Sequence, residues 1–191
     1  GFIMKTLVFF GSARKKGNTK KLLNIFLDHL EGEVEVIDAY HTEVGGCIDC
    51  RYCWDNRGCS VQDDMQLIYD KIDDADNIVF ASPLYFNNVP GPLKNIIDRC
   101  QVYWASRRRK DRDEISDKKA ALLVVGGAPS YNNQFLAMEI VLEGVLKDMK
   151  AEVIGHVYVP NSDKVPVLEN EEAIQMAKTV AENLNKSNKN K

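Results

Sequence analysis

The chain has 191 residues, 45% hydrophobic and 28% charged, which is typical of one globular domain with a sizeable core. Its 25 Lys and Arg against 28 Asp and Glu give a formal net charge of −3, which argues against a nucleic-acid-binding protein with a basic face. No apolar run approaches the roughly 20 residues that span a bilayer, and no signal-peptide pattern is seen, so we expect a cytoplasmic protein without membrane contact.

Strand-like apolar runs alternate with helical patterns along the whole chain. The predicted strands are 5–10, 33–38, 77–81, 120–125 and 153–159, and the predicted helices are 20–30, 63–73, one with Pro92 in its first turn, 133–150 and 171–184. This alternation predicts an open, doubly wound, five-stranded parallel sheet of order 2-1-3-4-5 with helices on both faces. We expect the charged stretch 104–119 to be an insertion and the polar tail 185–191 to fray.

The loop after the first strand has the sequence Gly-Ser-Ala-Arg-Lys-Lys-Gly-Asn-Thr, residues 11–19. Free N–H groups and the dipole at the start of the next helix favour a phosphate there. Ser12, Asn18 and Thr19 add donors, and Arg14 adds a guanidinium fork that suits phosphate oxygens. The loop lacks the glycine spacings of nucleoside-triphosphatase and dinucleotide motifs. It therefore predicts a site for a phosphorylated small molecule, the alternative being a polar turn with a solvated basic patch.

Two further loops follow the third and fourth predicted strands. A planar aromatic ligand needs apolar walls and a few hydrogen bonds at its edge, and residues of those types occur in the first of these loops: Pro83, Leu84, Tyr85, Phe86 and Asn87. In the other loop, Gly126 and Gly127 allow the backbone to approach a ligand closely. Since the carboxyl ends of central parallel strands meet at one sheet edge, we expect all three loops to converge. The alternatives are a rigid turn with its aromatic rings in the core or at a subunit interface, and an ordinary glycine turn.

Four of the five cysteines lie within thirteen residues, with the spacing Cys47-x2-Cys50-x2-Cys53-x5-Cys59. Without an export signal, metal or redox chemistry is favoured over disulfides. Four thiolates suit a [4Fe–4S] cluster, with zinc as a rival. The alternative is a packed loop of reduced cysteines in which Cys50 and Cys53 are buried under Trp54. The fifth cysteine, Cys100, lies on an apolar helical face and is predicted to be core.

Together these motifs resemble the NAD(P)H-dependent FMN reductase group of the flavodoxin-like superfamily, and more narrowly its iron–sulfur flavoprotein branch. The resemblance rests on residues 11–19, on the cysteine loop 47–59 running into Asp63-Asp64-Met65, and on 82–87 with 90–94. It implies one flavodoxin-like FMN-binding domain over 1–191, including the cysteine loop 45–60. By this resemblance the first loop holds the FMN phosphate, 83–87 lies against the isoalloxazine ring with Gly126-Gly127 beside it, and the four cysteines hold a [4Fe–4S] cluster.

The resemblance implies an FMN-dependent oxidoreductase that takes hydride from NAD(P)H. It would pass electrons to a quinone, a flavin or a similar small acceptor, or to a redox partner, and would form homodimers or homotetramers. We predict no catalytic side chain, because hydride transfer from nicotinamide to flavin depends on the stacking and orientation of the two rings. Two alternatives stay open: a non-enzymatic FMN or FMN/[4Fe–4S] electron-transfer protein, and a flavin-free metal or redox-sensing module. The basic run 107–110 either meets the 2′-phosphate of NADPH or is a solvated insertion.

Overall fold

The computed structural model describes residues 1–190 and confirms the predicted sheet. Over these residues five parallel strands form one sheet of order β2-β1-β3-β4-β5. The strands are β1 (Lys5–Phe10), β2 (Glu33–Asp38), β3 (Asn77–Pro83), β4 (Lys118–Val125) and β5 (Ala151–Val159). The last three are longer than predicted, because residues at their ends still pair with the neighbouring strand: Pro83 lies opposite Val125, and Lys118 opposite Ala151.

Helices cover both faces of the sheet. They are α1 (Asn18–Asp28), α2 (Tyr52–Asp55), α3 (Met65–Asp74), α4 (Gly91–Arg99), α5 (Gln101–Trp104), α6 (Ser106–Arg109), α7 (Leu136–Asp148) and α8 (Glu171–Ser187). The single turns α2, α5 and α6 are absent from the sequence prediction, since four residues show no helical period. In the described part of the chain, no helix is both long and apolar enough to cross a membrane.

Alternate residues of the central strands feed two separate cores. Phe9 and Phe80 stack at 5.1 Å between ring centroids on the face covered by α3, α4 and α7. Val8 and Phe10 point to the other face, where α1 and α8 cover them. Because both faces are buried, these strands are continuous apolar runs and not alternating ones. The two cores fix the level at which each strand ends, and so position the loops beyond them.

The polar tail is more ordered than the sequence predicts. Helix α8 continues to Ser187, and Asn185 is buried, accepting from the Glu31 N–H and donating to the His29 carbonyl, each at 2.9 Å. Asn188 is also buried and donates to Asn77 Oδ1 at 2.9 Å. The expectation of fraying is therefore wrong up to residue 188, because these amides satisfy main-chain and side-chain groups. Residue 191 lies outside the described residues.

The charged stretch is also not uniformly solvated. The side chain of Arg109 is only 10% exposed. Its guanidinium donates to the carbonyl oxygens of Cys53 at 2.6 Å and Val102 at 3.0 Å, and to Asp111 at 2.9 Å. The solvated interpretation of 107–110 is therefore wrong for Arg109, which joins the charged stretch to the cysteine loop.

Candidate functional site

The loops after β1 and β3 touch through their backbones. The Gly11 N–H donates to the Ala81 carbonyl at 2.9 Å. A Cβ at Gly11 would lie 2.7 Å from Leu93 Cδ2 and 3.0 Å from Ser82 Oγ, so a larger residue does not fit without movement. The first residue of the predicted phosphate loop is therefore pressed against the start of the predicted ring-binding loop.

The loops after β3 and β4 are joined as closely. The Leu84 N–H donates to the Val125 carbonyl at 3.0 Å, and Asn87 Nδ2 donates to the Gln134 carbonyl at 3.0 Å. A Cβ at Gly126 would lie 2.9 Å from Gln134 Nε2 and 3.1 Å from Leu84 Cδ1. Three loops distant in sequence thus meet at the carboxyl edge of the central strands, as predicted.

The predicted phosphate loop leads into an electropositive start of α1. The residue before the helix is Gly17, so within the described residues no side chain caps the first N–H groups, and the first turn has no acidic residue. Ser12 and Thr19 are buried there, and Ser12 Oγ accepts from the Arg14 N–H at 3.1 Å, which closes the loop. The exposed basic residues of the loop are Arg14, Lys15 and Lys16. Free N–H groups and positive charge together favour an anion.

One predicted phosphate donor has a second task. Asn18 Oδ1 accepts from the Val167 N–H at 2.9 Å. The carbonyl end of the Asn18 amide therefore fixes the segment after β5, and the NH2 end is the one suited to a ligand. This contact joins residues 149 positions apart and has no local sequence signal.

The predicted ring-binding loop ends in a tight turn. Tyr85 and Asn88 exchange main-chain hydrogen bonds of 2.9 and 3.1 Å, while Phe86 and Asn87 have φ angles of 49° and 62°. The Phe86 side chain is fully exposed and therefore does not belong to the core, whereas Tyr85 is half exposed. A bulky residue at positive φ is strained, and such strain is concentrated at functional sites.

The Asn87 amide nitrogen has protein partners in this structure. It donates to Tyr131 Oη as well as to the Gln134 carbonyl. This side chain therefore links the loop after β3 to the loop after β4. Nearby, burial and a hydrogen bond with Tyr85 raise the pKa of Tyr40, which brings the segment after β2 to the same site.

Two further residues at this edge were not predicted from the sequence. Gln134 is buried, and its Nε2 donates to the Ala128 carbonyl at 3.2 Å, while Oε1 has no hydrogen-bond partner among the described residues. The Asp163 N–H donates to the Gly127 carbonyl at 3.2 Å, so the loop after β5 borders the glycine turn. In the sequence, a polar run follows the fifth predicted strand, and this run could have indicated a fourth loop at the same edge.

The four clustered cysteines line one cavity of about 30 Å³ together with Trp54 and Arg99. Cys47 and Cys50 are exposed and Cys53 and Cys59 half-buried, so the packed-loop alternative is wrong for Cys50. All five cysteines are free. Burial, together with the neighbouring thiols of Cys59 and Cys47, raises the pKa of Cys53. Cys100 is buried in the core as predicted, and burial raises the pKa of its thiol.

The surroundings of this cavity suit thiolates. The Val61 N–H donates to Cys59 Sγ at 3.5 Å, and Trp54 is covered by the guanidinium groups of Arg51 and Arg108 at 4.5 and 4.2 Å from its ring. Arg99 Nε is buried and lacks a hydrogen-bond partner in the part of the chain that the structure describes. Four thiols with N–H donors and cations around them fit an iron–sulfur cluster in donor type. Over residues 1–190, however, no three Cys, His, Asp or Glu side chains are gathered closely enough to hold a metal ion.

Comparison with known proteins identifies the family of this chain. The sequence model described as NADPH-dependent FMN reductase matches residues 4–163. The chain belongs to this family. That match contains all three converging loops and the four cysteines, which confirms the resemblance found from the sequence.

Several curated family relatives are called iron–sulfur flavoproteins. One from Methanocaldococcus jannaschii is 37% identical over 140 residues, which are 72% of this chain and 69% of the relative. One from Methanosarcina thermophila is 33% identical over 128 residues, 65% of this chain and 64% of the relative. The chain therefore spans slightly less than two thirds of the latter protein's length.

Solved structures support the fold alone. An NAD(P)H:quinone oxidoreductase from Methanothermobacter marburgensis superposes with a TM-score of 0.76 at 20% identity, covering 96% of each chain. An azoreductase from Bacillus anthracis superposes with a TM-score of 0.65 at 19% identity, covering 96% of this chain and all of that one. These superpositions show that the chain shares its overall fold with these two proteins.

Proposed function

We propose that the protein is an FMN-dependent oxidoreductase that takes hydride from NAD(P)H and passes electrons to a small acceptor, such as a quinone or flavin, or to a redox partner. The observation that carries this proposal is the meeting of three loops at one sheet edge: an uncapped helix start with basic residues, an exposed aromatic turn and a glycine turn. Family membership supports it. FMN, when bound, supplies the hydride acceptance and electron release.

The first loop is suited to anchor the phosphate. The N–H groups at the start of α1 and the hydroxyls of Ser12 and Thr19 offer hydrogen bonds, and Arg14 offers charge. Hydrogen bonds to a charged partner contribute about 1.5–3 kcal/mol each, so this loop supplies much of the affinity. Lys15 and Lys16 add to the positive field without being buried.

The other two loops are suited to orient the ring. Pro83 and Leu84 offer an apolar wall, and the backbone at 85–86 offers hydrogen bonds to the ring edge. The close packing of Gly126 against Leu84 keeps the two loops at a fixed separation. No side chain has to move a proton in this arrangement, because positioning of the two reacting rings is the main task of the protein.

We also propose that the protein forms a homodimer or homotetramer. The interface between subunits would then help to complete the flavin pocket. Its support is an apolar surface on α7, where Leu136 and Ile140 are 45% and 63% exposed. These two side chains lie one turn apart on α7 and suit an apolar contact with a second copy of the chain.

The cysteine loop supports a [4Fe–4S] cluster as a second redox centre. The donor set Cys47, Cys50, Cys53 and Cys59 and the names of the curated relatives favour it. A second candidate function follows from the same loop: a non-enzymatic electron carrier with FMN and the cluster. The exposure of Cys47 and Cys50 favours it, since an exposed centre can exchange electrons with a partner.

One experiment separates these functions. Protein purified without oxygen is analysed by absorbance and for iron, sulfide and zinc, and then mixed with NADH or NADPH in a stopped-flow instrument. If the protein is an oxidoreductase, NADH or NADPH should reduce the flavin, and the flavin absorbance should disappear within the time of one catalytic turnover. Slow bleaching with both nucleotides supports the carrier, and failure to bind added FMN ends both proposals.

A further inference from the structure

Arg99 closes the cysteine loop from inside the protein. It is the last residue of α4 and is only 1% exposed. Its Nη1 donates to the Gly45 carbonyl at 3.0 Å, and its Nη2 donates to the Val61 carbonyl at 3.2 Å. Gly45 precedes the first clustered cysteine by two residues and Val61 follows the last by two. One buried guanidinium thus binds both ends of the loop that contains all four thiols.

A carboxylate holds that guanidinium in place. Asp63 accepts from Nη1 at 2.7 Å and from Nη2 at 3.0 Å, in a two-point pair. The same carboxylate accepts from the N–H groups of Gly45 at 2.9 Å and Met65 at 3.0 Å. A bidentate pair fixes the plane of the guanidinium, which a lysine ammonium cannot do. The direction of the remaining N–H is therefore set by the fold.

The remaining N–H belongs to Nε, and it is unused. It is buried and has no hydrogen-bond partner over residues 1–190. Arg99 lines the same cavity as the four cysteines, and its side chain lies in contact with Cys59. Leaving a buried donor unsatisfied is destabilising, most of all for a charged group, so such an atom calls for an explanation.

We propose that Arg99 is a positioning residue for the cysteine centre: it ties the two ends of the loop and directs its Nε–H to the sulfur of Cys59 in the loaded protein. The inference rests on the proposed cluster and deepens it. Hydrogen bonds to cluster sulfurs stabilise the more negative, reduced form and raise the reduction potential. Outer partners of metal ligands also strengthen metal retention, by about 10- to 100-fold in affinity.

The test compares Arg99→Lys, which keeps the charge and loses Nε–H, with the control Arg107→Lys at an exposed pair with Asp148. In R99K we expect cluster loss to a chelator at least about tenfold faster, a lower midpoint potential, and unchanged FMN affinity. R107K should match the wild type in all three. Faster cluster loss with an unchanged potential would mean that Arg99 is purely structural, and it would overturn the assignment of the Nε–H to sulfur. An R99K protein with wild-type potential and retention would overturn the inference as well.

Two further measurements keep the result decisive. If R99K does not fold, Asp63→Asn retains the Nε–H while loosening its support, and we expect faster hydrogen exchange over 45–61 with a lower potential. Unchanged exchange and potential in D63N overturn the inference. If anaerobic wild type contains no iron, the proposed cluster fails separately. Hydrogen exchange of metal-free R99K then decides the loop tie: faster exchange over 45–61 supports it, and wild-type exchange overturns it.

Discussion

The side-chain amide of Asn87 donates to the carbonyl oxygen of Gln134 at 3.0 Å, and this bond joins the loop after β3 to the loop after β4. The two residues are 47 positions apart, and the parallel sheet alone brings them together. On the other side of the β3 loop, Gly11 is packed against Ser82. The proposed flavin site is therefore one connected structure, and changes in any loop should affect ligand binding.

Changes in the phosphate loop should weaken FMN binding. Arg14→Ala and Thr19→Ala each remove a group suited to the phosphate, and we expect the FMN dissociation constant to rise about tenfold or more for each. Fluorescence titration with FMN measures it. Lys186→Ala is the control, because Lys186 lies in the last turn of α8, far along the chain from this loop, and is exposed. Unchanged FMN affinity in both variants would remove this loop as the phosphate site.

Gly11→Ala should reduce stability. Its Cβ would meet Leu93 Cδ2 at 2.7 Å, and Leu93 is fully buried, so its Cδ2 can shift only by disturbing the packed side chains around it. Overpacking of this kind costs about 1–3 kcal/mol of unfolding free energy. Urea unfolding measures this loss against the control Gly91→Ala, where nothing lies within 4 Å of the added carbon. Equal stability of the two variants would contradict the tight contact between the first two loops.

Phe86→Gly should weaken FMN binding without lowering the stability of the protein. The ring is fully exposed and the residue has a φ of 49°, so glycine loses no packing and relieves about 1 kcal/mol or more of strain. We expect unfolding free energy to stay level or rise, while the FMN dissociation constant increases about threefold to tenfold from lost aromatic contact. Phe2→Gly, which removes another exposed ring, should leave FMN binding unchanged. Wild-type FMN affinity in F86G would exclude Phe86 from the site.

The Asp63 carboxylate should stabilise the fold in a pH-dependent way. Burial disfavours its charge, but hydrogen bonds from Arg99 and from the N–H groups of Gly45 and Met65 outweigh burial and lower the pKa below 3.8. Because the folded-state pKa is the lower one, the contribution is complete at neutral pH and is lost as pH falls below about 4. Asp63→Asn should therefore cost about 3 kcal/mol at pH 7, and less at low pH.

Urea unfolding at neutral pH and at about pH 3 tests this expectation. The control is Asp117→Asn, since the Asp117 side chain is 89% exposed and pairs with Lys150 at 3.4 Å. Exposed pairs contribute about 0–1 kcal/mol, so this variant should differ little from the wild type at either pH. A D63N deficit that is constant with pH would mean that the carboxylate charge is not the cause.

The sheet order and the loop positions could be predicted because they depend on local patterns. The apolar runs of β1, β3 and β4 mark strands buried on both faces, and chain order with right-handed crossovers then places their ends together. The position of loop 11–19 between β1 and the start of α1 could be predicted for the same reason. Each of these inferences needs only neighbouring residues and general rules of α/β folds.

Long-range partners could not be predicted in this way. The sequence gives no sign that the Asn18 oxygen accepts from the Val167 N–H, and Arg109 looks solvated until Cys53 is seen to accept from it. Asn185 in the polar tail likewise pairs with the backbone beyond α1. A side-chain amide or guanidinium carries no sign of which distant group it will bind. Arg99 likewise borders the apolar face formed by Leu93, Ile96 and Ile97, and its burial is seen only in the structure.

The most direct test of the account compares the binding of FMN and riboflavin to the flavin-free protein by fluorescence titration. The two ligands share the ring system, and riboflavin lacks the phosphate. We predict that both bind and that FMN binds at least about a hundredfold more tightly, since several charge-assisted hydrogen bonds at the start of α1 are made by FMN alone. Equal affinity for the two ligands, or no binding of FMN, would contradict it.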